Sequence, residues 1–360
     1  MRKVLIVTGT RPEIVKMAPV HDALQRSGWC WPLWCHTGQH DGMARQMFEF
    51  FGISPNWTME RDAGDSLADL AAGILHHLDA RVGAEPPDQI LVHGDTTTTF
   101  AAAFVAFSRR IPVAHVEAGL RTHCRELPFP EEINRQLTAV LASRHYAPTQ
   151  RARENLIREG VEDARIHVTG NTVVDAQGYV RRRYGIQRAR PSHPVLLVTA
   201  HRRENWDSLD AVCEAINQLV DGNAELEVVF PVHLNPLVRE RVARGIRPNP
   251  RVRLCEPLDY VALQRQLAGC SVVLTDSGGI QEEAAGYGVP CFVMRDVTER
   301  PEAVEAGIAW LVGTRIEHIV AGVAPALRPE FRMPTLSCNP FGDGHAAQRI
   351  VEDLHAQRPH

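Results

Sequence analysis

The sequence predicts an α/β protein made of two Rossmann-like domains with one ligand cleft between them. Three observations predict it. Short β-branched apolar runs alternate with amphipathic stretches of helical period. The runs fall into two successive series, and a polar or glycine-bearing turn follows nearly every one. A chain of 360 residues is also too long for one comfortable core and suits two domains of about 100–200 residues each.

The first series reads "KVLIVT" (3–8), "WPLWCHT" (31–37), "QILVH" (89–93), "PVAHVE" (112–117), "RHYAPT" (144–149) and "RIHVT" (165–169). The second reads "PVLLVTA" (194–200), "ELEVVFPV" (225–232), "RVRLCE" (251–256), "SVVLTD" (271–276), "PCFVMR" (290–295) and "AWLVG" (309–313). Runs apolar on both faces, alternating with helices such as "DSLADLAAGILHHLDARV" (65–82), mark parallel strands covered on both sides. The N-terminal domain is placed at 1–170 and the C-terminal domain at 171–344, with a helix at about 345–360 packing back on the first. The break falls where "YVRRRYGIQRARPSHP" is basic, proline-bearing and weakly periodic.

Hydrophobic content of 44% and charged content of 23% are ordinary for a globular protein. A formal charge of −4 gives no global reason to expect nucleic acid or an acidic membrane as partner. The start, "MRKVLIVTGTRPE", meets Arg11 and Glu13 before a signal-peptide core forms, and no apolar stretch reaches the roughly 18–20 residues of a membrane span. Eight scattered cysteines without a Cys-x-x-Cys pair read as reduced thiols of a cytoplasmic protein, with neither a disulfide framework nor a zinc site.

The polar turns carry the functional signal. "GTRPE", "TGQH", "HGDTTTT", "EAGLRT" and "TGN" follow runs of the first series, and "AHRREN", "VHLNP", "EPLDY" and "DSGGIQEE" follow runs of the second. Open parallel sheets bind ligands outside the carboxyl ends of their strands, so a polar ligand is expected there. In "DSGGIQEEA" (276–284), Ser277, Gly278 and Gly279 open a helix whose backbone N–H groups suit an anion, and Glu283 one turn on suits ribose hydroxyls. The same residues also read as an ordinary helix cap. A Walker loop is lacking, as is a Gly-x-Gly-x-x-Gly run after the first strand, which argues against ATP and NAD. Arg11 and Arg300 each open an Arg-Pro-Glu triplet. Their forks match phosphate oxygens, with pairing to a nearby glutamate as the alternative. Lys16 lies one turn into the first helix.

Asp95 ends "QILVHGD", Glu117 ends "PVAHVE", and Glu131 and Glu132 stand together in "PFPEEINR". A lone carboxylate at a strand end commonly caps the next helix. Convergence of these acids would instead raise at least one pKa, as a proton-transfer group requires. Facing them in the second half stand His201, Arg202 and Arg203 of "TAHRREN" and His233 of "PVHLNP". The residues describe a two-domain enzyme in which one half binds a nucleoside diphosphate and the other performs acid–base chemistry on what it carries. No metal ligand set or flavin motif is needed.

Assembled in order, "GTRPEIVKMAP", "TGQH", "LVHGDTTTTFAAA", "HVEAGLRT", "PFPEEINRQLT", "TGNTVVDA", "TAHRREN", "PVHLNP", "EPLDY", "LTDSGGIQEEA", "RDVTERPE" and "NPFGDG" resemble the non-hydrolysing UDP-N-acetylglucosamine 2-epimerase family over nearly the whole chain. The resemblance implies a glycosyltransferase-B-like fold and reversible conversion of UDP-GlcNAc to UDP-ManNAc through elimination and re-addition of UDP. A 2-acetamidoglucal intermediate is implied, with no redox cofactor or metal, and a homodimer is expected. It assigns acid–base roles to Asp95, Glu117 and Glu131 with His201 near the diphosphate, which makes Glu131 the catalytic candidate of the pair and leaves Glu132 to support the helix start. Arg11 and Lys16 fall in its basic set, and Ser277, Gly278, Gly279, Glu283 and Arg300 on its UDP contacts. Gln39, Arg202 and His233 match an activator site for a second UDP-GlcNAc, but two polar members of that set appear here as Gly42 and Gly64, and weak or absent activation is expected. Leu263 replaces an aromatic that some members carry near the uracil. The alternatives are a hydrolysing epimerase, an epimerase of a modified UDP-sugar, a glycosyltransferase of the same fold, or a nucleotide-sugar sensor without chemistry.

Overall fold

A computed structural model describes residues 1–357 apart from 40, 61–63, 65, 201 and 335–337. The chain forms two units, Met1–Ala176 with Phe341–His360, and Gln177–Pro340.

The first unit alternates strand and helix. Its elements are β1 (Arg2–Thr8), α1 (Arg11–Ser27), β2 (Cys30–His36), α2 (Asp41–Phe51), β3 (Trp57–Thr58), α3 (Leu67–Ala84), β4 (Gln89–His93), α4 (Thr97–Ser108), β5 (Val113–Val116), α5 (Glu131–Leu141), β6 (Arg144–Ala147), α6 (Gln150–Arg158) and β7 (Ile166–Val168). The division between the units falls within α7 (Thr172–Tyr184). The sheet has the order β3-β2-β1-β4-β5-β6-β7 with every pair parallel. Leu5, Ile6, Ile90 and Leu91 are fully buried in its central strands, as runs without polar alternation require. Thr10 caps α1, Pro12 sits in its first turn, and Gly28 at φ 70° ends it.

The second unit contains β8 (Val195–Thr199), α8 (Leu209–Gly222), β9 (Glu227–Pro231), α9 (Pro236–Gly245), β10 (Val252–Cys255), α10 (Tyr260–Gly269), β11 (Val272–Thr275), α11 (Gly278–Tyr287), β12 (Cys291–Val293), α12 (Pro301–Glu305), β13 (Ala309–Leu311) and α13 (Ile316–Ala326). Its parallel sheet has the order β10-β9-β8-β11-β12-β13. Leu196, Val198, Phe230 and Leu274 form its core with the apolar face of α8. The final helix, α14 (Ala346–Ala356), belongs to the first unit and packs on α1. Asp175 Oδ1 and Oδ2 accept from the N–H groups of Ala347 and Ala346 at its start. Among the described residues no helix is long and apolar enough to cross a membrane.

Two Rossmann-like units were expected and are observed. The two-residue strand β3 was not, because a pair of residues carries no period.

Candidate active site

In the first unit β1, β4 and β5 are parallel neighbours, so their following turns leave the same edge of the sheet. His93 is in register with Val116, and Gly94–Asp95 therefore emerges beside Glu117. A methyl added at Gly94 would stand 3.6 Å from Glu117 Oε1. Glu117 is buried at φ 64°, a left-handed backbone that costs a side-chain-bearing residue about 1 kcal/mol or more. Lys16 Nζ forms an ion pair with Oε2, Asn171 Nδ2 donates to the same oxygen at 2.7 Å, and His93 Nε2 lies 3.8 Å from it.

Asp95 is half-buried and takes both Arg135 Nε, at 2.9 Å, and Nη2, at 2.6 Å, on Oδ2. Asn134 Nδ2 donates to the Asp95 carbonyl at 2.9 Å. Glu131, half-buried at the first position of α5, precedes Asn134 and Arg135 by three and four residues and so shares the helix face that grips Asp95. The bonds Leu127–Pro128 and Phe129–Pro130 leading into α5 are both cis. The structure thus groups Lys16, Asp95 and Glu117 around adjacent turns, with Glu131 on the helix that binds one of them.

Glu132 departs from expectation. Its fully buried carboxylate leaves its own helix start and accepts the N–H groups of Thr122 and His123, both at 3.1 Å, and Arg135 Nη1 at 2.8 Å. Those N–H donors belong to the loop before α5, and the buried Glu132 carboxylate finds its hydrogen bonds there. Glu132 therefore ties the loop to Arg135.

Three contributors were not singled out from the sequence. Asn171 and Arg135 reach acids far away in the chain, which no local spacing announces. Glu13 did have a signal, the Thr-x-x-Glu of a capping box. Its carboxyl is only 2% exposed, and burial, opposed by hydrogen bonds from Thr10, Gly9 and Thr96, pushes it up to about 7. Behind the β4 turn, burial pushes the His115 imidazole down to about 4, so the ring is neutral as its Nε2 meets the Gly94 carbonyl at 2.7 Å. Arg11 is half-buried at the start of α1, and Gln39 Oε1 accepts from Thr98 Oγ1 at 3.0 Å.

In the second unit, β8 and β11 are neighbours, and their turns are joined by Asp276 Oδ2, which accepts the Arg202 N–H at 3.0 Å. His201 lies outside the described residues. Ser277 stands at the N-cap position of α11, whose first residues are Gly278 and Gly279. Arg300 pairs with two glutamates: its Nε donates to Glu282 Oε1 at 2.6 Å and its Nη1 to Glu299. Arg295 Nη1 binds the other Glu299 oxygen at 2.8 Å. This buried network lies directly under the glycine turn, since a Cβ on Gly278 would come within 2.4 Å of Arg300 Nη1. Glu283 is buried one turn into α11, and its carbonyl accepts from Gln177 Nε2 at 2.9 Å. His233 is half-buried after β9, where its Nδ1 accepts from the Asn235 N–H at 3.2 Å. Among the described residues no group of three or more His, Cys, Asp or Glu side chains is arranged to hold a metal.

The fold and these turns define a protein of two Rossmann-like units, one carrying paired acids beside a buried lysine and the other a glycine-opened helix backed by arginine. Residues 22–355 match the family model described as UDP-N-acetylglucosamine 2-epimerase. The chain is 44% identical over 370 residues to the Yersinia pestis UDP-N-acetylglucosamine 2-epimerase, spanning 98% of either chain. Among solved structures, a Staphylococcus aureus MnaA–UDP co-structure is 38% identical with a TM-score of 0.91, covering 98% of this chain and 96% of that one. A UDP-GlcNAc 2-epimerase from Neisseria meningitidis, bound to UDP-GlcNAc, is 38% identical with a TM-score of 0.90, covering 99% and 100%. The chain belongs to the UDP-N-acetylglucosamine 2-epimerase family.

Proposed function

We propose that this protein is a non-hydrolysing isomerase that interconverts UDP-GlcNAc and UDP-ManNAc. The observation that carries the reading is the pairing of two charge-compensated acids, Glu117 on Lys16 and Asn171, and Asp95 on Arg135, at adjacent turns of one sheet edge. One carboxylate of the set Asp95, Glu117 and Glu131 takes the C2 proton. The C1–O bond breaks, its electron pair leaves with UDP, and C1=C2 forms the 2-acetamidoglucal. A second acid then protonates C2 from the opposite face as UDP oxygen returns to C1, so the atoms balance without oxidant or water. Gly278 and Gly279 offer α11 N–H groups to the diphosphate and Ser277 its hydroxyl, its own N–H being held by Thr275 Oγ1, and Glu283 serves the ribose. Arg11 and His201 receive the departing UDP, and Lys16 holds the Glu117 carboxylate in place through their ion pair. Arg300 supports the glycine turn from behind through Glu282 and Glu299.

Incubation with UDP-GlcNAc in deuterated water, followed by NMR, tests this. UDP-ManNAc deuterated at C2 is expected. Free ManNAc with UDP as the main products would place the protein with hydrolysing enzymes, and unexchanged C2 would leave transfer or sensing.

Two finer readings accompany it. A homodimer is supported by an apolar face on the packed helices α4 and α5, where Phe104, Phe107, Leu137 and Val140 are exposed, Val140 at 80%. A second copy of this chain is its occupant, and Val140→Asp is expected to halve the mass measured by light scattering. An unchanged mass would refute that face. Activation by a second UDP-GlcNAc through Gln39, Arg202 and His233 is weak or absent. Gly64 has φ 145°, and a Cβ there would fall 2.6 Å from that of Asp69, so this backbone has no place for a polar side chain at that position. Many-fold stimulation of the initial reverse rate by trace UDP-GlcNAc would overturn this. The cytoplasm, where nucleotide-sugars are made, is the expected compartment.

A further inference from the structure

Glu13 performs more than a helix cap. A comparable capping box opens α3, where Asp69 serves Ser66; that acid is exposed, and its hydrogen bonds from Ser66 hold its carboxyl below the usual range. Glu13 caps from the interior instead. Its Oε2 accepts the N–H groups of Gly9 at 3.0 Å and Thr10 at 2.7 Å, and the Thr10 hydroxyl at 2.7 Å. Its Oε1 crosses to another element and accepts the hydroxyls of Thr96 at 2.9 Å and Thr99 at 3.3 Å. Thr96 is itself the cap of α4, with its hydroxyl accepting the Thr99 N–H at 3.1 Å, and it directly follows Asp95. One carboxylate therefore joins the caps of two helices. The approach between these turns is close enough that a Cβ on Gly9 would come within 2.2 Å of Thr98 Oγ1.

We propose that Glu13 is a positioning residue for the epimerisation. It locks the start of α1, the helix that carries Arg11 and Lys16, to the β4–α4 turn, which presents Asp95, and so holds cation and acid in register at the reacting sugar. A capping role alone would need only Oε2, and nothing about capping calls for burial. The bridging carboxylate sits where desolvation pushes it up to about 7, a cost that a surface cap such as Asp69 avoids. Displacing an acid by about 1 Å from a reacting atom lowers rates on the order of 100-fold. This inference rests on the epimerase reading above.

Glu13→Asp separates the two roles. Aspartate caps α1 as Asp69 caps α3, but it is one methylene too short to hold Thr10 and Thr96 together. The expected result is a melting temperature close to that of the wild type, with kcat for UDP-GlcNAc lowered about tenfold or more and KM changed less than about threefold. Thr96→Val, with Thr96→Ser as the variant that keeps the hydroxyl, removes the other end of the bridge. Valine is expected to reproduce the kcat loss and serine to restore activity. If Glu13→Asp unfolds, the Thr96 pair decides. Wild-type kcat in Glu13→Asp, or equal activity in Thr96→Val and Thr96→Ser, overturns the inference while leaving the epimerase reading intact. A wild-type protein that leaves UDP-GlcNAc unchanged overturns both.

Discussion

Lys16→Met exposes what the buried ion pair does. The two side chains are 5% and 6% exposed, and removing the cation leaves the Glu117 carboxylate in a nearly dry site. Breaking such a pair from one side costs about 3–5 kcal/mol, because the remaining charge loses its compensation. Asn171 Nδ2 still donates to Oε2 at 2.7 Å, which places the expected loss at the lower end, about 3 kcal/mol. Glu117→Gln in the same background removes the stranded charge, so the double variant is expected to lose much less than the sum of the single ones, with a coupling of about 2 kcal/mol. Urea denaturation of the wild type, the two single variants and the double variant measures these losses, with buried Trp34 of the same unit reporting by fluorescence. Single losses that add to within about 0.5 kcal/mol would show that the pair is not coupled and refute the reasoning.

Three further outcomes are expected. Asn171→Ala removes one charge-assisted bond from Glu117 and should lower kcat about tenfold or more with little change in KM; an unchanged kcat would show that Lys16 orients the acid alone. Gly278→Ala would place its Cβ 2.4 Å from Arg300 Nη1, forcing the glycine turn off its arginine support, and steady-state kinetics should show KM for UDP-GlcNAc raised about tenfold, or about 1.4 kcal/mol. Glu13 is raised from 4.5 to about 7, so the folded chain binds a proton the unfolded chain has released. Wild-type stability should therefore fall relative to Glu13→Gln as pH rises from 4.5 towards 7, by roughly 3 kcal/mol. Parallel pH profiles for the two proteins would contradict that shift.

Much of the framework was legible because buried parallel strands write themselves as short apolar runs. "QILVH" is β4 residue for residue, and "KVLIVT" falls one residue short of β1. The turns stood out as polar segments directly after apolar runs, although each one alone also reads as a helix cap. What stayed hidden concerns partners distant in sequence. Lys16 and Glu117 are 101 residues apart, and only the side-by-side placement of β1, β4 and β5 brings them together. Glu132 was read as a helix-start charge because local position is all a sequence displays, whereas its oxygens serve the N–H groups of an earlier loop. Arg300 left two readings open for the same reason, and its glutamate partners lie on α11 and just before it in the chain. The reach of Glu13 to Thr96 is a further case: the capping box is visible in the sequence, its second half is not.

The central claim is that UDP leaves C1 and returns to it while C2 exchanges its proton. UDP-GlcNAc carrying 18O in the bond between C1 and the β-phosphate tests it most directly, with the label followed by 31P NMR during turnover in deuterated water. The expected result is migration of 18O into the non-bridging β-phosphate positions together with deuterium at C2 of both epimers. Epimer formed with the label still in the bridge would mean that C1–O never broke, and the mechanism proposed for Asp95, Glu117 and Glu131 would be wrong.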